Sequence, residues 1–319
     1  MNKQETLQET LDKRFSQSDV LSDTLVHGTG ADGTVRCIAA VTTNTVAEAA
    51  IRHQTSPTAT AAFGRTLTGA LLLGATYKDF DRLTVKVDCQ GPIEGIIAEA
   101  NARGGVRGYV KNPLADAPLN SNGKFDVRAI VGEGMFYVTR ESGYDIGLYR
   151  EPYQGTVPIV SGEIGEDFAF YLAKSEQLPS AVLVGVLINP AHSEVLAAGG
   201  VMIQMMPGAD EKTISEIERA ILETPSATAL ISEGARPADL LKRTLGAVDF
   251  EILEEKVVGF ACTCSYERAV SIISSIQRTE LESMLSEDKG AVMSCHFCNN
   301  EYRLDEAKLK EILNNRSNV

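Results

Sequence analysis

The sequence predicts an α+β protein in three parts: an N-terminal antiparallel-sheet core domain with packed helices, a helical linker, and a small C-terminal cysteine module. Three observations predict it. Apolar residues alternate with a period of two along "TVRCIAAVT" and "RLTVKVDCQG". A charge-rich tract with narrow apolar stripes follows Pro207-Gly208. Four of the six cysteines crowd into the last fifth of the 319 residues.

The core domain spans residues 1–208, of which 1–17 read as a polar N-terminal extension. Val35, Cys37, Ala39 and Val41 share one face of a strand, and Leu83, Val85, Val87 and Cys89 share another. "GPIEGIIAEA" and "GGVRGYV" follow after turn residues, which makes a meander of antiparallel strands. Helices interrupt it. One starts after Ser56-Pro57 and is dense in Ala and Leu; a second covers "SGEIGEDFAFYLAKSEQ", ahead of the strand "SAVLVGVLIN". The strand "AAGGVMIQMMPG" closes the domain.

The linker spans residues 209–256. Within it, residues 210–256 hold 17 charged residues among 47. Thr213-Ile-Ser-Glu216 is a capping-box pattern, and Ile214, Ile217, Ile221 and Leu222 are expected on one helical face up to Pro225. A second short helix fits Pro237–Leu245, with Gly246 past its end. Such short helices are marginal alone in water, so they are expected to lie on another surface. The C-terminal module spans residues 257–319 and ends in a helix that Asp305 can cap.

Bulk properties narrow the function classes. A net charge of −13 disfavours non-specific contact with nucleic acid or anionic lipid. The N-terminus lacks the apolar stretch of a signal peptide, and "SAVLVGVLIN" is too short to span a bilayer, so no membrane partner and a cytosolic location are expected. Thiols stay reduced there, which favours metal ligands or redox switches over structural disulfides.

Cys262 and Cys264 form a C-x-C pair, and Cys295 and Cys298 form a C-x-x-C pair thirty residues on. Two short chelating pairs joined by a longer loop suit tetrahedral zinc, with four thiolates closing the shell and no position left open for hydrolysis. One zinc per chain is expected. His296 could replace a thiolate, but a spacer residue facing solvent is the simpler reading. A thioredoxin-like motif would open a helix after its C-x-x-C, whereas "CNNEYRLDE" has turn and strand chemistry. A nucleic-acid zinc ribbon would be basic, whereas residues 262–319 hold seven Lys or Arg against nine Asp or Glu. Cys37 and Cys89 sit in the apolar register of strands, where Cys behaves as a small hydrophobe.

No enzyme site emerges from residues 1–256. There is no G-x-x-x-x-G-K-[ST] to cradle ATP phosphates and no G-x-S-x-G elbow. Glu163, Glu166 and Asp167 gather at a helix start, where carboxylates favour the helix dipole.

The chain resembles the 33-kilodalton heat-shock chaperonin family of bacterial redox-regulated holdases. "CTCSYER", "CHFCNNEY", "YQGTVPIVSGEIGEDFAFYLAKSEQLPSA" and "FGRTLTGALLLGATYK" carry the resemblance, together with the order of core, linker and cysteine module. It covers nearly the whole chain; the first 17 residues look like an extension ahead of the family core. The resemblance implies a reduced, zinc-bound, inactive state. It implies that oxidants release the zinc, form the disulfides Cys262–Cys264 and Cys295–Cys298, and leave a protein, homodimeric when oxidised, that holds unfolding clients. Clients would pass to an ATP-driven chaperone system. The alternative from another class is a zinc-dependent thiol–disulfide oxidoreductase acting on client proteins.

Overall fold

A computed structural model describes residues 6–15, 22–78, 81–143, 146–147, 151–191 and 193–316. The chain divides into two compact units, residues 1–261 and 262–319. Of the expected N-terminal extension, residues 1–5 and 16–17 lie outside the described residues; Leu7–Phe15 forms helix α1 and buries Leu11.

The first unit runs β1 (Thr24–Gly30), β2 (Val35–Val41), α2 (Thr43–His53), α3 (Pro57–Gly74), β3 (Arg82–Cys89), β4 (Gly95–Asn101), β5 (Gly105–Val110) and α4 (Val127–Val131). It continues through β6 (Gly134–Glu141), β7 (Tyr153–Pro158), α5 (Gly165–Lys174), β8 (Ser180–Asn189) and β9 (Glu194–Met205). Helices α6 (Glu211–Glu223), α7 (Ala227–Ser232) and α8 (Pro237–Leu245) follow, then β10 (Phe250–Val257) and the short β11 (Gly259–Phe260). One sheet has the order β10-β1-β2-β9-β8 and the other β11-β5-β4-β3-β6-β7. All pairings are antiparallel except β11 on β5. The expected meander is therefore present as β3–β4–β5, and its alternation holds: Leu83, Val85 and Val87 are buried while Arg82, Thr84 and Lys86 are half-buried.

Helix α3 touches strands of both sheets. Ser56 caps it, accepting from Ala59 N at 3.3 Å, and Pro57 occupies its first turn. Almost all of its residues are buried, as an all-round apolar helix requires. Its small residues permit close approach: a Cβ on Gly69 would sit 2.3 Å from the Phe168 ring of α5. Ahead of α5, buried Ile164 adopts φ +69°, a strained value for a β-branched residue. Asp167 holds that turn. Its carboxylate accepts from the backbone N–H of Val160, Ser161 and Ile164 at 2.9, 2.9 and 3.0 Å. The distinctive "VSGEIGED" stretch thus works as a structural corner, while Glu163 pairs with Arg65 of α3 at 2.5 Å.

The helices of the tract 209–256 cover a face of the five-stranded sheet. Ile217 of α6 and Leu240, Leu241 and Leu245 of α8 are buried in one cluster with Val26, Val35, Cys37, Ala39, Val201 and Ile203. Two local expectations are corrected. The capping box does not form, because the helix starts at Glu211 and Asp210 caps it, accepting from Thr213 N at 2.7 Å. Glu216 accepts instead from Ala247 N at 2.9 Å, which ties α6 to the end of α8, where Gly246 has φ +63°. Leu222 is 85% exposed and does not share the apolar face. At about 100° per residue it is turned about 140° from Ile217. The sequence pattern assigns no element to residues 250–257, which form the edge strand β10 on β1.

The second unit contains α9 (Tyr266–Ser275), α10 (Arg278–Ser283), the hairpin β12 (Gly290–Ser294) and β13 (Glu301–Asp305), and α11 (Glu306–Arg316). Asp305 accepts from Lys308 N at 2.9 Å and caps α11 as expected. Its core is thin: among the described residues, Ile273, Leu281, Leu304, Leu309, Ile312 and Leu313 are the buried members of its apolar cluster.

Candidate metal centre

The four cysteines of the second unit meet. Cys295 and Cys298 sit in the loop that joins β12 to β13. Cys295 N donates to Asn300 O at 2.9 Å and closes the hairpin, and Asn299 N and Cys298 N turn back to Cys295 O at 2.7 and 3.3 Å. Asn299 takes φ +55°, a left-handed conformation that Asn tolerates. This tight turn aims both sulfurs of the C-x-x-C to one side. Cys262 and Cys264 lie just ahead of α9, which Ser265 caps by accepting from Arg268 N at 3.2 Å. The Arg268 guanidinium donates to Thr263 O at 2.8 Å and to its hydroxyl at 3.0 Å, which pins the C-x-C spacer.

All four sulfurs fall within 4.8 Å of one another. Cys262 and Cys295 approach to 3.7 Å, and Cys264 and Cys298 to 3.3 Å. A tetrahedron with metal–sulfur bonds of about 2.3 Å has sulfurs about 3.8 Å apart. The donor set therefore fits one metal ion. Exposed His296 is not part of the group. The hydroxyl of Tyr302, on β13, donates to Cys264 Sγ at 3.0 Å.

Crowding raises two of these thiols, Cys295 and Cys298, above the ordinary thiol range. Burial raises Cys295, a shift that backbone N–H groups of Phe297 and Cys298 oppose and the neighbouring Cys262 reinforces. A hydrogen bond with Cys262 raises Cys298, with burial second. A divalent cation supplies the compensating charge, so its uptake must release protons. Among the described residues, no other group of three or more His, Cys, Asp or Glu side chains gathers in this way.

Cys37 and Cys89 lie elsewhere. Cys37 is fully buried and burial pushes its thiol up to about 12; burial also raises half-buried Cys89. Neither is poised as a thiolate at neutral pH. The double variant Cys37→Ser/Cys89→Ser is expected to keep full oxidant responsiveness, with some loss of stability from the buried hydroxyl at 37. Loss of the oxidant response in a variant whose circular dichroism matches the parent would contradict this.

Comparison with known proteins decides the family. The family model described as Hsp33 protein matches residues 23–305. The chain belongs to the Hsp33 family. It is 48% identical over 294 residues to a 33 kDa chaperonin of Shouchella clausii, covering 92% of this chain and 98% of that one. It is 47% identical over 292 residues to the 33 kDa chaperonin of Staphylococcus aureus, covering 91% and 98%. The crystal structure of a 33 kDa chaperonin (heat shock protein 33 homologue) from Thermotoga maritima matches with TM-score 0.85 and 34% identity over 94% of this chain and all of that one. Family and cysteine cluster together support a chaperone of the Hsp33 type. Membership also bears out the resemblance drawn from "CTCSYER" and "CHFCNNEY".

The sequence did not point to Arg268 or Tyr302 as parts of an Hsp33 centre. Both flank the cysteine pairs, in "CSYER" and "CNNEY", but their reach to Thr263 and Cys264 depends on the start of α9 and on the β12–β13 pairing.

Proposed function

We propose that this Hsp33-family chain is a cytosolic, ATP-independent holdase whose activity is switched by oxidation of a zinc–thiolate centre. The observation that carries the reading is the meeting of four thiol sulfurs, from two distant segments, inside a small unit whose apolar cluster has six buried members among the described residues. Cys262, Cys264, Cys295 and Cys298 hold one zinc in the reduced form. Zinc bound there supplies cross-linking, not chemistry on a substrate, because four thiolates leave no open position.

The thin core makes the second unit dependent on that cross-link. Structural sites of this kind contribute on the order of 10 kcal/mol of apparent binding energy, which is folding energy in a small unit. Oxidation turns ligands into disulfides, which we assign as Cys262–Cys264 and Cys295–Cys298. Each closes a ring of very few residues, so each restricts the unfolded chain little and does not restore the fold. The tract 209–256 then loses its ordered C-terminal neighbour and loosens from the sheet. Ile217, Leu240, Leu241 and the sheet residues Val26, Val201 and Ile203 become available to unfolding clients, bordered by charges that keep the complex dispersed.

Holding is passive, since the sequence has no P-loop, and release passes clients to an ATP-driven chaperone system. The oxidised protein acts as a homodimer. Among the described residues no helix is long and apolar enough to cross a membrane. The oxidoreductase alternative gains no support at the C-x-x-C, which leads into strand β13 where a thioredoxin-like site would open a helix.

The test is a zinc and free-thiol count before and after peroxide, run beside an aggregation assay on a thermally unfolding client. The expected result is one zinc and six thiols in the inactive form, and no zinc, two remaining thiols and near-stoichiometric protection after oxidation. Protection by the zinc-bound, reduced protein, or catalytic turnover of a disulfide substrate, would overturn the reading.

A further inference from the structure

The four sulfurs are not held alike. Cys295 and Cys298 are placed by backbone hydrogen bonds of their own turn, Cys295 N to Asn300 O at 2.9 Å and Asn299 N to Cys295 O at 2.7 Å. These bonds come with the fold of the turn. The Cys264 sulfur accepts a hydrogen bond from a side chain, the Tyr302 hydroxyl, at 3.0 Å. Tyr302 lies opposite Met293 in the β12–β13 pairing and is half-buried, so the ladder fixes its backbone beside the centre.

We infer that the Tyr302 hydroxyl, through its hydrogen bond to Cys264 Sγ, sets how readily the thiolate centre is oxidised. The inference rests on the zinc-switch reading above. An oxidant attacks the sulfur lone pair. A hydroxyl that donates to a ligand sulfur draws density from that lone pair and holds the sulfur in its bound orientation, as outer-shell partners do for metal ligands generally. The hydroxyl therefore slows the first oxidation and raises the dose of oxidant the switch ignores.

The chemistry balances with a hydroperoxide as oxidant. The Cys264 sulfur lone pair attacks one peroxide oxygen, the O–O bond breaks, and the other oxygen leaves as water or an alcohol after taking a proton. Cys264 is left as a sulfenic acid. A second thiolate, Cys262 in the pairing assigned above, attacks that sulfur. The S–S bond forms, and the sulfenic oxygen leaves as water after protonation. The two sulfurs lose two electrons and the peroxide gains two.

The experiment uses the full chain loaded with zinc and follows zinc release by hydrogen peroxide with a chromogenic chelator. Tyr302→Phe keeps the ring and removes the donor; release is expected to quicken on the order of tenfold, the size of effect found when an outer-shell partner is lost. Tyr302→3-fluorotyrosine keeps the ring and strengthens the donor, and release is expected to slow. Opposite shifts mark the hydrogen bond, because a packing role would move both variants the same way or neither. Peptide mapping by mass spectrometry should show Cys264 as the site whose early oxidation changes. Equal rates in all three proteins, or shifts of one sign, would overturn the inference. If Tyr302→Phe holds less than one zinc, the fluorotyrosine arm decides alone, and an unchanged rate there overturns it. Wild type that binds no zinc, or keeps it under peroxide, would overturn the switch reading itself and this inference with it.

Discussion

Cys295→Ser is expected to abolish tight zinc binding and to unfold residues 262–319. Cys295 lies 3.7 Å from Cys262 across the centre, and its backbone N–H and C=O close the turn that presents Cys298. A serine hydroxyl is not deprotonated at neutral pH, so the site falls to three thiolates. The remaining apolar cluster has six buried members among the described residues, too few to replace a contribution on the order of 10 kcal/mol. The variant should therefore behave as a permanently activated chaperone: no stoichiometric zinc after dialysis against a weak chelator, loss of the ordered amide signals of the second unit, and client protection without oxidant. A variant that keeps one zinc at parental affinity would sink the four-thiolate assignment. One that loses zinc and keeps the second unit folded would sever metal from fold.

Leu240→Ala and Leu241→Ala are expected to lower the oxidation needed for activity while leaving the zinc in place. Both side chains are fully buried in the cluster between α8 and the sheet. Truncating a buried Leu to Ala costs about 2–5 kcal/mol, a large share of the stability of any local unit. Here the loss falls on the docking of residues 209–256. The core is less affected, because the larger apolar cluster around α3 is separate from this one. Each variant should protect a client at a lower peroxide dose than the parent, and the pair together should protect in the reduced state with one zinc still bound. Leu222→Ala is the control: that side chain is 85% exposed, so its loss should change neither stability nor dose. Double-variant protein that remains inactive while its 209–256 amides exchange rapidly would separate docking of the tract from the client surface.

Much of this was legible in the residues, for physical reasons that differ by element. The strand of Leu83, Val85 and Val87 announced itself because one face is buried and the other is not, which imposes a period of two. Helix α3 was legible from Ser56-Pro57 and its Ala- and Leu-rich composition, although its burial between two sheets was not, since a helix apolar all round has no face to read. The four thiols were legible because chelation needs short spacings within each pair. Strand β10 was not: "FEILEEKV" is an edge strand whose three glutamates and most apolar side chains are alike exposed, so it lacks a period of two and its structural signal is a ladder with β1, more than 200 residues earlier. The start of α6 was misplaced because two capping patterns overlap, and Asp210 won over Thr213. Tyr302 was invisible for a related reason. A hydrogen bond to a residue 38 positions away depends on tertiary placement, which local pattern does not encode.

The account turns on graded local stability: the second unit and the tract 209–256 must open while the core stays closed. Amide hydrogen exchange read by mass spectrometry measures this directly in the reduced, zinc-bound and the oxidised, zinc-free protein. In the reduced form, amides of α6 and α8 should be protected, held by the buried Ile217, Leu240, Leu241 and Leu245. In the oxidised form these amides and those of residues 262–316 should exchange fast, with at most mild warming. Amides of β3 and of β9, each paired on both sides within its sheet, should stay slow in both. Equal protection of α6 and α8 in both redox states of an active preparation, or loss of protection in β3 and β9 together with the cysteine unit, would contradict it.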